Sequence, residues 1–269
     1  MFRMVDLDAY FARIGYDGPR EPTLRVLGAL QAKHPAAIPF EAVDCLLDRG
    51  VDIAPAAVDA KLIHGGRGGY CFEHNSLFRR VLEALGFRVE GLAARVRWNM
   101  PADAPAQPRT HMVLRVTAEG EAWLADVGFG GCVLTAPLRM VPHLEQATDH
   151  DRYRLTPVGE DLRLEVLREP GWVTAYDICL SPCEPRDYEM ANWFTSTHPT
   201  SHFRHNLLAA RTTPQARYGL LFNQLTVRHR NGPVEKTTLD ADGVEAALRD
   251  VFGLPVQPDW RPVIEAAVR

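Results

Sequence analysis

Residues 65–69 read Gly-Gly-Arg-Gly-Gly. Four glycines in five positions sustain neither a stable helix nor a packed strand. The stretch is therefore a loop in which the backbone turns sharply or is closely approached. Directly after it the pattern changes. Leu77, Phe78, Val81, Leu82 and Leu85 recur at helical spacing, and Gly86 follows as a C-terminal stop. Cys71 thus falls in the first turn of a helix of about four turns. A helix start carries free backbone N–H groups and the positive end of the dipole, which favour the anionic form of a thiol. That is the setting of a nucleophile. The competing reading is a buried cysteine packing as a small hydrophobe, the commoner state of a free cysteine.

Upstream of the loop the chain reads as mostly helical. A short helix over Asp8–Ile14 stops at Gly15, and Thr23 caps a second whose apolar face is Leu24, Val26, Leu27 and Leu30, with Pro35 expected to end it. Ile38-Pro39-Phe40 is expected to be extended. Short helices follow over 41–47 and 58–62. From Phe87 the period becomes alternating, and strands are expected over 89–97, 110–116, 122–127, 153–156, 162–167 and 172–176. This middle part reads as an antiparallel sheet or small barrel, with loops over 99–108 and 137–151. The remainder reads as a helical turn over 188–193, a polar loop over 196–201, strands over 206–212, 219–229 and 234–239, and a last helix over 243–252.

With 269 residues and 46% hydrophobic content, the chain can bury a sizeable core divided among two or three subdomains. The net charge is −4 and no basic stripe is interleaved with aromatics, which argues against a nucleic-acid partner. Met1 to Asp8 offers no apolar signal-peptide core, and no run of about eighteen apolar residues offers a membrane span. The cysteines are Cys45, Cys71, Cys132, Cys179 and Cys183. An odd, sparse set points to a reducing cytoplasm rather than a secreted disulfide framework. Cys179 and Cys183 have no second pair at zinc spacing, so no metal site is expected.

A cysteine nucleophile needs a histidine, and the histidine an orienting carboxylate. Among the histidines, His111 is the informative one because it opens the strand 111–116. A turn at 118–121 leads into the strand Ala122-Trp123-Leu124-Ala125-Asp126-Val127. If Ala118-Glu119 is the hairpin loop, His111 faces Asp126 directly. If Glu119-Gly120 is the loop, the two are diagonal. Both registers place them on one face, because side chains alternate with period two. An aspartate inside an apolar strand also requires a partner. The alternative is a solvated Asp126 at a strand end and an outward His111. His74, three residues after Cys71, is either a second group near the thiol or a structural hydrogen-bonder. His198, His202 and His205 either line a pocket or are solvated.

These residues resemble the arylamine N-acetyltransferase family. The resemblance is carried by 7–16, Ile38-Pro39-Phe40-Glu41, Arg67-Gly68-Gly69-Tyr70-Cys71-Phe72-Glu73-His74-Asn75, Thr110-His111, 126–131 and 196–203, and it spans essentially the whole chain. A departure lies at Ala42-Val43, where the family has Asn-Leu. The resemblance implies an α+β multidomain fold: a helical bundle over 1–88, an antiparallel β-barrel over 89–187 and an α/β lid over 188–269. It implies a Cys71-His111-Asp126 triad of the cysteine-protease kind. It implies acetyl-CoA as a co-substrate, with no tightly bound cofactor, and a small arylamine, arylhydrazine or N-hydroxyarylamine as acceptor. Thr110, Gly128, Gly130 and Trp98 are the residues expected beside CoA, and Phe40, Tyr70, Phe129 and Phe203 those expected around the acceptor. The glycines at 128, 130 and 131 are not a dinucleotide fingerprint, because residues 132–134 read as continuing extended with no helix opening. The assembly is left open to a homodimer. The same triad would also serve an amide synthase or a hydrolase or transglutaminase-type enzyme.

Overall fold

The computed structural model describes residues 5–101 and 103–269. Met1 to Met4, on which part of the signal-peptide expectation rests, and Ala102 lie outside the described residues. Helix α1 (Leu7–Ile14) is capped by the Asp6 carboxylate accepting from Ala9 N–H, and α2 (Leu24–Ala37) by the Thr23 hydroxyl accepting from Val26 N–H. Pro35 does not end α2. It removes one intrahelical donor, but the last turn closes through Ile38 N–H on His34 C=O. Strand β1 (Phe40–Glu41) precedes α3 (Val43–Leu46), so Glu41, expected in a helix, is extended. Helix α4 (Pro55–Val58) starts earlier than its apolar run and continues as a π-helical segment, Asp59–His64. After the glycine loop comes α5 (Cys71–Ala84), as the sequence predicts.

The alternating region forms an eight-stranded antiparallel sheet ordered β5-β4-β3-β2-β9-β8-β7-β6 among the described residues. Its strands are β2 (Arg88–Val96), β3 (His111–Ala118), β4 (Glu121–Ala125), β5 (Leu138–Arg139), β6 (Gln146–Ala147), β7 (Arg152–Val158), β8 (Asp161–Arg168) and β9 (Gly171–Pro182). The chain after β5 bridges back to β7 through Pro142 and Leu155, so the sheet curls into a nearly closed barrel. Two short strands thus lie inside the expected 137–151 loop. The β3–β4 hairpin turns on Glu119-Gly120, both at positive φ (53° and 78°), and its register pairs Ala118 with Glu121.

The second sheet is ordered β1-β10-β11-β12-β13. It comprises β10 (Leu208–Thr212), β11 (Ala216–Leu221), β12 (Gln224–His229), β13 (Val234–Thr238) and, from far upstream, β1. The expected single strand over 219–229 is a hairpin. Its two-residue turn, Phe222-Asn223, carries no glycine and holds Phe222 at φ 52°, which hides it from a composition reading. Helix α6 (Pro185–Thr197) is longer than expected at both ends, opening on Pro185 with the Asp187 carboxylate accepting from Glu184 N–H. Helices α7 (Ala241–Ala246) and α8 (Arg261–Ala267) complete the chain, the latter unforeseen. Among the described residues, no helix is long and apolar enough to cross a membrane.

The apolar stripe of α5, Leu77, Phe78, Val81 and Leu82, is wholly buried against α1, α2 and the barrel. A second core fills the barrel, and a third joins α7, α8 and the second sheet around Trp260. Truncating a fully buried phenylalanine leaves a cavity that a packed core closes only partly. Phe78→Ala is therefore expected to lower unfolding free energy by about 3–5 kcal/mol, measured by denaturant titration.

Candidate active site

The glycine loop is shaped by what approaches it. A Cβ on Gly68 would fall 2.1 Å from the Pro39 carbonyl oxygen, so no other residue fits there. Gly69 C=O accepts from Glu41 N–H at 2.8 Å, and Gly69 N–H donates to Pro39 C=O at 3.3 Å. The start of α5 is closed by Glu73, whose carboxylate accepts from Tyr70 N–H at 3.0 Å. Its other oxygen takes Lys61 Nζ at 2.7 Å. Arg67 donates to Glu41 at 2.7 Å and to Asp44 at 3.1 Å, and lies 4.8 Å above the Trp260 ring. Burial alone would push the Asp44 carboxyl up, but the Lys61 and Arg67 charges hold it below the usual range. The Arg-Gly-Gly-x-Cys-x-Glu run is thus one buried ionic brace around the first turn of α5.

That turn presents Cys71 to the barrel. Asp126 lies just beyond β4, fully buried, and its carboxylate takes four hydrogen bonds. Oδ2 accepts from His111 Nε2 at 2.7 Å and Tyr176 O–H at 2.9 Å, and Oδ1 accepts from Asn75 Nδ2 at 2.9 Å and Gly128 N–H at 2.8 Å. The hairpin register is the diagonal one, and it does put His111 and Asp126 together. The Cys71 thiol donates to Thr110 C=O at 3.6 Å, and it borders the same cavity as His111, whose ring feels its charge. Because Nε2 serves Asp126, Nδ1 is the nitrogen left for the sulfur. A Cβ on Gly128 would sit 2.8 Å from Cys71 Cα, so this glycine allows the loop after β4 to close over the helix start.

Asn75 is the clamp the sequence reading did not find. One turn along α5 from Cys71, its amide donates to Met112 C=O at 2.8 Å as well as to Asp126, and its oxygen accepts from Val127 N–H at 3.1 Å. The signal for it was the i, i+4 spacing from Cys71, which puts both on one helix face. Tyr176, the other missed partner, had no local signal, because β9 reaches the site only through pairing with β2.

Electrostatics favour charge on this pair. Burial opposes an imidazolium at His111, but the Asp126 charge and hydrogen bond, with the Cys71 contact, outweigh it and push the ring up to about 10. Burial likewise opposes the Asp126 carboxylate, and His111, Asn75 and Gly128 N–H outweigh it and hold that group below the usual range. The signs follow from linkage. The raised His111 contributes stability in full below about pH 6.5, its ordinary value, and loses it as pH rises through about 10. The depressed Asp126 contributes above the ordinary carboxylate range and loses its share only on acidification.

The site opens into a cavity of ≈ 740 Å³, a size suited to a small organic ligand. Cys71, Thr110, His111, Gly128, Gly130 and Trp98 all border it. Phe40, Phe129 and Phe203 form its aromatic walls, with Phe129 edge-on to His111 at 5.0 Å. Tyr70 is a correction: it is not on the wall but fully buried behind it, edge-to-face against Phe203 at 5.5 Å with its hydroxyl on Asn192. Residues 130–132 form a short 3₁₀ turn, so of the stretch 132–134 expected to run extended, Cys132 departs, whereas Val133 (φ −57°, ψ 142°) is extended. Of the three later histidines only His202 borders the cavity; His198 stacks on Phe194 and His205 bonds Pro199 C=O. His74 points away from the thiol into the helical core. Among the described residues no group of three His, Cys, Asp or Glu is placed to hold a metal.

A sequence model of the N-acetyltransferase family matches residues 23–261. The arylamine N-acetyltransferase of Mycobacterium tuberculosis is 44% identical over 256 residues, covering 94% of this chain and 90% of that protein. This chain belongs to the arylamine N-acetyltransferase family. It is an acyltransferase. Its relatives include the arylamine N-acetyltransferase / N-hydroxyarylamine O-acetyltransferase of Salmonella typhimurium, 40% identical over 93% of this chain and 89% of that protein. The fold follows the same line. The structure of Mycobacterium marinum arylamine N-acetyltransferase in complex with CoA superposes with a TM-score of 0.92 at 42% identity, covering 98% of each chain. The nearly closed barrel is the barrel of those transferases.

Two outcomes are expected in this arylamine N-acetyltransferase relative. Asn75→Ala strips Asp126 of one donor and leaves Val127 N–H unpaired, and should cost about 1–3 kcal/mol of stability by denaturant titration. Thermal unfolding of the wild type relative to Asp126→Asn should show a stability difference that shrinks as pH rises from about 7 through about 10.

Proposed function

We propose that this chain transfers an acetyl group from acetyl-CoA to arylamines, arylhydrazines and N-hydroxyarylamines in two steps, through an acetyl-cysteine at Cys71. The observation that carries the reading is a thiol at the first residue of α5 that shares the wall of an aromatic cavity with a histidine bonded at 2.7 Å to a fully buried aspartate. The CoA bound by the Mycobacterium marinum relative and the acceptors named for the Salmonella relative support the two substrate classes.

In this mechanism His111 holds the Cys71 proton, and Sγ attacks the thioester carbonyl. The tetrahedral intermediate collapses, the bond to the CoA sulfur breaks, and His111 returns the proton to the leaving thiolate. The acceptor nitrogen then attacks the acetyl carbonyl, His111 takes its proton, and Cys71 leaves as thiolate. Asp126 fixes the ring so that Nδ1 faces the sulfur, and stabilises the imidazolium. Cys71 N–H, at the helix start, is the oxyanion donor of this scheme. The amides of Val127 and Gly128 are already committed to Asn75 and Asp126. Aromatic amines are weakly basic and arrive neutral, so His111 has only one proton to remove. Thr110, Gly128, Gly130 and Trp98 flank the CoA arm, and Phe40, Phe129 and Phe203 hold the flat acceptor. The same reading divides the chain into a helical part, 1–88, a barrel, 89–187, and a lid, 188–269.

The test is intact mass after mixing with acetyl-CoA alone. One acetyl group is expected, mapped to Cys71 and discharged by aniline. Asp126→Asn should lower the rate by about 10²–10⁴-fold, the range of general base catalysis. Full activity in that variant would remove the triad, and absence of the adduct would remove acetyl-CoA as donor.

A further inference from the structure

Three buried polar side chains take no part in the proposed chemistry. Tyr10 on α1, His34 on α2 and His74 on α5 are at most 1% exposed. They form one hydrogen-bonded chain. Tyr10 Oη lies 2.9 Å from His34 Nδ1, His34 Nε2 lies 2.8 Å from His74 Nδ1, and His74 Nε2 lies 3.2 Å from the Pro39 carbonyl oxygen. The chemistry of the last group determines every proton. A carbonyl only accepts, so His74 Nε2 carries hydrogen. In a neutral ring Nδ1 is then a lone pair, so His34 Nε2 must donate to it. His34 Nδ1 is left as acceptor for the Tyr10 hydroxyl. Neutrality follows from the surroundings. Burial pushes both rings down, His74 to about 4 and His34 well below its ordinary value. Arg13 near His34 adds to this, as does Lys61 near His74, against the Pro39 and Gly69 carbonyls and Glu41.

What meets at the end of the chain gives it a consequence. Pro39 C=O also accepts Gly69 N–H, from the loop that leads into Cys71. Phe40, the next residue, bridges Gly69, and its ring lies parallel to that of His74, 1° apart with centroids 6.3 Å apart. The other side of Phe40 faces the cavity, 6.1 Å from Phe203. So α1, α2 and α5 are connected, through side chains alone, to the backbone that carries an aromatic wall.

We propose that Tyr10, His34 and His74 are a positioning relay that holds Pro39–Phe40 and thereby sets the aromatic wall against which the acceptor lies. The proposal rests on the reading of this cavity as an acyl-transfer site. The relay acts on acceptor fit rather than on the thiol, because both His74 nitrogens are committed elsewhere. Its first test needs no turnover. Nitrogen-15 NMR of the imidazoles should show His34 and His74 both neutral, each with hydrogen on Nε2. An imidazolium, or hydrogen on Nδ1 of either ring, overturns the relay. The second test separates the half-reactions. His74→Phe keeps a ring but loses both nitrogens, and should raise KM for aniline roughly tenfold, the scale of a lost buried hydrogen bond. His74→Gln, whose amide can donate to Pro39, should recover part of that. Tyr10→Phe, the mildest change, should shift KM in the same direction. The single-turnover rate of Cys71 acetylation should stay within roughly twofold in all three, since none touches the sulfur. An unchanged KM, or a fall in Cys71 acetylation as large as the rise in KM, overturns the proposal. A wild type that forms no acetyl adduct removes the acyl-transfer reading instead, and leaves the NMR result standing.

Discussion

Everything at the centre of this protein depends on satisfying one buried carboxylate. Asp126 is fully enclosed, and an ionised carboxylate so placed is costly unless its lone pairs are taken. Four donors take them, and they come from four separate segments: α5, β3, β9 and the loop after β4. The helical region, the barrel and the loop beside the thiol therefore have to meet in one arrangement for the charge to be tolerated. The pairing of His111 with Asp126 is the chemical result, and the docking of α5 on the barrel is the structural one.

The second constraint is close approach. At Gly68 the Pro39 carbonyl, and at Gly128 the Cys71 Cα, occupy the space of a side chain. These contacts bring the backbone of three loops together around one helix start. Ionic and neutral polar networks then divide the work of holding them. Glu41, Asp44, Lys61, Arg67 and Glu73 brace the outer side of the turn with charge. Tyr10, His34 and His74 brace the inner side without any, as suits a region enclosed by apolar packing.

The elements that sequence reading placed well are those whose signal is local. The helix after the glycine loop has a glycine stop and an apolar stripe, and the β3–β4 hairpin has an obvious turn. Where the signal was ambiguous the reading failed for identifiable reasons. Phe222-Asn223 turns without glycine, Pro35 sits in a helix whose final turn closes past it, and Glu41 is a strand residue only because β10 lies beside it. Tyr70, an aromatic next to the proposed nucleophile, is aimed behind the cavity wall, because it is the extended cap residue just before α5 and its ring is held by Phe203 and Asn192.

The sequence by itself determined that His111 and Asp126 share a face. Either hairpin register gives that result, since strand side chains alternate with period two. It also determined that Cys71 opens a helix, because glycines before it and an apolar stripe after it leave no other conformation. Only the tertiary structure decided that the thiol and that histidine share one cavity wall. Their proximity depends on how α5 docks on the barrel, through Asn75, Gly128 and Tyr176, and those contacts join residues 37 to 57 positions apart. No periodicity within a short window carries information of that range.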